Sequence, residues 1–110
     1  MPDFPATPFT PHDPEPTWWV KIVGMLEQNW ALPVTLDGKH VLLFVGDTSG
    51  MFDRIDFDDE KSRRHALVDN GFVEFARDPS LQEFLAPPEL PLSIRLHPNG
   101  FIYSSGQFWH

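Results

Sequence analysis

The 110 residues include no cysteine. That excludes disulfides, thiolate zinc sites and a cysteine nucleophile, and it suits a reducing compartment. No apolar run approaches the ~18 residues of a membrane span. The opening Met-Pro-Asp-Phe-Pro-Ala-Thr-Pro has neither the basic nor the apolar region of a secretory signal. The expected location is the cytoplasm, with no membrane association. Basic residues are also scarce, 8 Lys and Arg against 16 Asp and Glu, for a net charge of -8. Phosphate binding needs a basic stripe, and without one nucleic acid is not an expected partner.

Familiar catalytic and metal-binding spacings are missing as well. His12, His40, His65, His97 and His110 form no i,i+2 or i,i+4 pair, so neither a metal site nor a cofactor is expected. The loop from Gly46 to Gly50 has neither the lysine nor the glycine spacing of a phosphate-binding loop. The acids from Asp53 to Glu60 lack the mid-loop glycine of an EF-hand. Ser104 or Ser105 with His97 would need a G-x-S-x-G elbow to act as a nucleophile, and Ser-Ser-Gly is not one. Sixteen acids place some carboxylate pair close together in almost any fold, so a two-carboxylate hydrolase is not implied. No catalytic residue is assigned, and a non-enzymatic role is the expectation.

What is present is a core. Hydrophobic residues make up 41 % of the chain, including 10 Phe and 4 Trp, which is enough for one domain of this size. Its organising stretch is Val34 to Gly46. Asp37-Gly38 between two β-prone runs predicts a hairpin with a tight two-residue turn, since such a turn needs positive φ at its centre. The second run is apolar without a break from Val41 to Val45, which predicts a central strand covered on both faces. Met51 to Phe57 predicts a third strand.

Residues 1 to 16 are read as a separate Pro-rich extended tail, with Pro2, Pro5, Pro8, Pro11 and Pro14 at the period of polyproline II. A disordered tail whose removal leaves the melting temperature unchanged is expected, with docking through Phe4 and Phe9 as the alternative. Residues 17 to 110 form a single α+β domain. Thr17 predicts an N-cap for a helix from Trp18 to about Trp30, with Trp19, Ile22, Val23, Leu26 and Trp30 as its apolar stripe and Trp18 partly exposed. A second, mostly wet helix runs from about Asp58 to Asn70, with Asp59–Arg63 and Glu60–Arg64 pairs and Gly71 just past its end. Asp78-Pro79 opens a short helix burying Leu81, Phe84 and Leu85. A closing hairpin is predicted from Leu92-Ser93-Ile94-Arg95-Leu96, the turn His97-Pro98-Asn99-Gly100 and Phe101-Ile102-Tyr103, with Leu92, Ile94, Leu96 and Ile102 on one face. The expected fold is a mostly antiparallel sheet of two hairpins and a middle strand, with the helices on one face.

Two features carry the functional expectation. Residues 47 to 60 hold six acids against Arg54, a local charge of -5. The last hairpin sets Arg95, His97, Phe101 and Tyr103 on one aromatic and cationic face. Together they suggest an acidic protein-interaction module, of the kind small inhibitors and antidote proteins provide, holding a basic protein partner or a second copy of itself. The tentative contact residues are Trp18, Arg95, His97, Phe101, Tyr103, Asp56, Asp58 and Asp59. The alternative is a small-molecule-binding domain or minor hydrolase, with a pocket between Trp18, His97, Tyr103 and Ser105.

Overall fold

The computed structural model describes residues 4, 5, 7–11, 17–23, 27–46 and 49–94. They form a six-stranded mixed sheet with two helices, an α+β arrangement richer in strand than in helix. In chain order come β1 (Trp19–Val23), β2 (Glu27–Leu36), β3 (Lys39–Val45), β4 (Gly50–Phe57), α1 (Glu60–Asp69), β5 (Val73–Glu74), a 3-10 turn (Phe75–Arg77), α2 (Pro79–Gln82) and β6 (Ser93–Ile94). The order across the sheet is β5-β1-β2-β3-β4-β6.

The organising hairpin is as expected. Asp37 and Gly38 both take positive φ, 51° and 76°, and Leu36 pairs with Lys39 across them. Two positive-φ residues give the mirror-image turn whose twist matches that of the flanking strands. Val41, Leu42, Leu43, Phe44 and Val45 are all fully buried. Val41, Leu43 and Val45 join one apolar cluster and Leu42 and Phe44 the other, so this strand is covered on both faces. The third strand is β4, and a register irregularity at Phe44/Val45 lets Phe52 as well as Ile55 and Phe57 reach the cluster of Phe44.

The helix expected from Trp18 to Trp30 is instead two antiparallel strands, β1 paired with β2 from Trp19↔Ala31 to Val23↔Glu27. Aromatic and β-branched residues at spacings of three and four fit a helical stripe, but they also suit strands buried on both sides. Trp18, Val20 and Trp30 lie in one cluster and Trp19 in the other, so the predicted stripe is divided between opposite faces. Trp18 is correspondingly buried, not partly exposed. Its ring meets that of Trp30 edge-on, 5.9 Å between centroids.

The helices do not share a face. Leu67 of α1 packs with Trp19, Ala31, Phe44 and Phe72, whereas Leu81 of α2 and the following Leu85 pack on the Trp30 side. Phe84 points outward and is 81 % exposed. The local signals around both helices were sound. Asp59 caps α1 by accepting from the Ser62 N–H at 2.7 Å, and Gly71 just past its end has φ of 85°. Asp78 caps α2, with Pro79 as its first residue.

Two further differences concern the sheet edges. β6 runs parallel to β4, so the sheet is mixed. Leu92 is fully buried, yet Ile94, expected on the same covered face, is 52 % exposed. The rest of the predicted closing hairpin, from Arg95 onward, lies outside the described residues. In the N-terminal segment Phe9 bridges Leu92 through two backbone hydrogen bonds of 2.8 and 2.7 Å. Phe4 and Phe9 pack against the Trp30 cluster, and Pro11 is buried. This part of the tail is docked on the domain because its two phenylalanines find an apolar face that neither helix covers completely.

Candidate functional site

Of the contact residues read from the sequence, Asp56, Asp58 and Asp59 come together where β4 hands over to α1. All three are exposed, as is the neighbouring Glu60. Arg54 grips Asp56 with two nitrogens, Nε to Oδ1 at 2.7 Å and Nη2 to Oδ2 at 3.1 Å. That hydrogen bond and the guanidinium charge hold the Asp56 carboxyl below its usual range. Asp59 is lowered by the N–H and side chain of Ser62. Asp58, Asp59 and Glu60 have no ion-paired cation among the described residues. Trp18 is not part of this corner: it is buried, and β2 and β3 separate β1, which it precedes, from β4. Arg95, His97, Phe101, Tyr103 and Ser105 lie outside the described residues, which leaves Trp18 alone of the pocket anticipated near the last hairpin.

These depressed carboxyl groups contribute to the acid limb of stability. A carboxyl whose pKa is lower in the folded chain stabilises the fold above its unfolded pKa and loses that contribution as pH falls through the folded value. Asp78 is lowered in the same way, first by the Ser80 hydroxyl and then by the Leu81 N–H. The combined Asp59→Asn, Asp78→Asn variant should therefore melt below the parent at pH 7, with the gap closing as pH drops below about 4. Melting curves across that range check it. A gap that widens toward acid would contradict the assigned partners.

A cleft of about 210 Å³ opens elsewhere, between α1 and the free flank of β2. β1 begins its pairing at Trp19 opposite Ala31, so beyond this point β2 has only β3 beside it. Pro33 sits in that stretch, paired with Leu42. Counting the ladder from the two-residue turn, its nitrogen faces away from β3, where a missing N–H leaves no hydrogen bond unmade. Trp19 and Pro33 line the cleft from the sheet, Arg63, Arg64 and Leu67 from α1, and Glu74 from β5.

The arginines define its character. Arg63 does not pair with Asp59 as the helix spacing suggested. It turns inward, is only 9 % exposed, and donates from Nη1 to the carbonyls of Val34 at 3.0 Å and Val41 at 3.1 Å. Burial lowers its pKa, with Glu60 opposing, but a guanidinium starts so high that it remains a cation. Arg64, exposed, lies over the Trp19 ring with its guanidinium carbon 5.3 Å from the centroid. Sequence reasoning missed Arg63 because an arginine beside acids reads as a surface ion pair. The available signal was its position one turn before Leu67, the one buried apolar residue of α1.

Among the described residues, no three His, Asp or Glu side chains gather as a metal centre requires, and no helix is long and apolar enough to cross a membrane. Comparison with protein-family models, curated proteins and solved structures found no match to this chain.

Proposed function

We propose that this chain is a non-enzymatic protein-interaction module that presents an acidic edge to a basic protein partner. The observation that supports this most is the corner of β4 and α1, where Asp58, Asp59 and Glu60 stand exposed with no ion pair among the described residues, while Arg54 of β4 is engaged by Asp56. Exposed charges of one sign steer a complementary partner and speed its association. In this reading Arg95, His97, Phe101 and Tyr103 supply the anchoring half of the contact. The module works in the cytoplasm, in keeping with a chain that carries no cysteine.

Asp59→Asn tests this, because asparagine keeps the capping acceptor for the Ser62 N–H and forfeits only the part of the stability that the charge supplies. With a basic partner captured on the immobilised chain, Asp58→Asn and Asp59→Asn together should slow association severalfold and leave dissociation nearly unchanged. The parent complex should weaken steadily as salt rises, since charges farther apart than about 8 Å are screened at physiological ionic strength. A complex whose association rate ignores both salt and the two substitutions would show that the acidic edge serves solubility alone.

A further inference from the structure

The buried Arg63 is chemically unfinished. Nη1 is used by the carbonyls of Val34 and Val41, but Nε and Nη2 have no acceptor among the described residues, and no carboxylate there lies within ion-pairing distance. Neither nitrogen is among the fully buried unpaired side-chain atoms, so both keep contact with solvent, and a carboxylate arriving there would replace water on a guanidinium that Nη1 already fixes. The unused pair is also the edge that suits one. Nε–H and Nη2–H point the same way, and Arg54 uses these two nitrogens to hold the carboxylate of Asp56 elsewhere in this chain.

From this we infer that the cleft between α1 and β2 binds a small-molecule monocarboxylate, its two oxygens taken by Nε and Nη2 of Arg63 and its charge shared with Arg64.

The surroundings narrow the ligand. The cleft, about 210 Å³, falls below the ~300–1,000 Å³ of pockets for drug-sized molecules, so the ligand is small. Trp19, Pro33 and Leu67 give it an apolar wall for a hydrocarbon or ring body. Two carboxylates also line it. Glu74 is engaged by Arg77, with 2.5 Å between Oε2 and Nε, while Glu60 stands exposed at the start of α1. One excess positive charge is therefore left to the lining, which fits a monoanion. A nucleotide or other polyanion would face Glu60 and the net charge of -8. Arg64 is held for this work by Trp19, whose ring fixes the guanidinium without consuming its N–H groups.

Benzoate, a carboxylate on a small apolar ring, is the probe, with benzamide as its neutral twin and sodium chloride as the ionic-strength control. The full chain, labelled with nitrogen-15, is titrated while the arginine Nε–Hε resonances are followed, that of Arg63 being assigned by its loss in Arg63→Lys. The Arg63 resonance should move saturably with benzoate and stay still with benzamide and chloride. Arg63→Lys keeps the charge without the fork and should weaken benzoate binding about tenfold or more. Arg64→Ala changes an exposed residue, so it tests the site even if the lysine variant folds poorly, and it should weaken binding severalfold. An Arg63 resonance that ignores benzoate, or follows benzamide or chloride equally, overturns the proposal. So does unchanged benzoate affinity in Arg64→Ala.

Discussion

Trp30→Ala should lower the folding free energy by about 3–5 kcal/mol, the range for deleting a large aromatic side chain from a packed core. Trp30 is fully buried on β2, with β1 on one side and β3 on the other. Its ring meets Trp18 edge-on and also Phe75, whose centroid is 5.3 Å away, and its indole N–H donates to Gln28 at 3.2 Å. These partners come from β2, from the residue before β1 and from the turn after β5, so the cavity would open where three separate pieces of chain converge. Such walls collapse poorly because their backbones are fixed, Gln28 within β2 and Phe75 by donating its N–H to the Trp18 carbonyl at 2.9 Å. A domain of this size has only about 5–15 kcal/mol in total, so a midpoint shift in urea with unchanged slope should be large and easily measured. A loss below about 1 kcal/mol would mean that this face of the sheet is not packed as described.

Removing residues 1 to 16 should lower the melting temperature by more than about 8 °C, where the sequence pattern suggested no effect. The truncation takes away Phe4, Phe9 and Pro11, uncovers part of the cluster containing Leu92 and Trp30, and breaks both hydrogen bonds between Phe9 and Leu92. Half-burial of two phenylalanines together with that bridge, less the entropy of ordering the segment, leaves a net contribution of about 2 kcal/mol. Phe9→Ala in the full chain should reproduce a good part of the drop, which separates loss of the anchor from loss of length. If the truncated domain melted with the parent, the docked segment would be a passenger.

What the sequence determined by itself was local. The Asp37-Gly38 turn, the unbroken strand from Val41 to Val45, the caps at Asp59 and Asp78, and Gly71 at the end of α1 were legible because each rests on preferences satisfied within a few residues. A positive φ, a side chain accepting from an N–H three residues on, or a proline at a first helical position needs no distant partner. Tertiary structure decided the rest. Trp19 to Val23 became a strand because β2 and β5 were there to pair with it, and because Trp19 and Val20 are buried on opposite faces the alternation that marks a half-wet strand was absent from its start. The placement of the helices on opposite faces and the parallel course of β6 depended on contacts far apart along the chain. The clearest case is Arg63. Its neighbours in sequence offered carboxylates, but the carbonyls of Val34 and Val41, 29 and 22 residues away, took its Nη1. Only the folded chain shows that this arginine turns inward and lines a cleft, since a side chain's partners are set by what the fold brings within 3 Å or so of it, and spacing along one helix cannot reveal that.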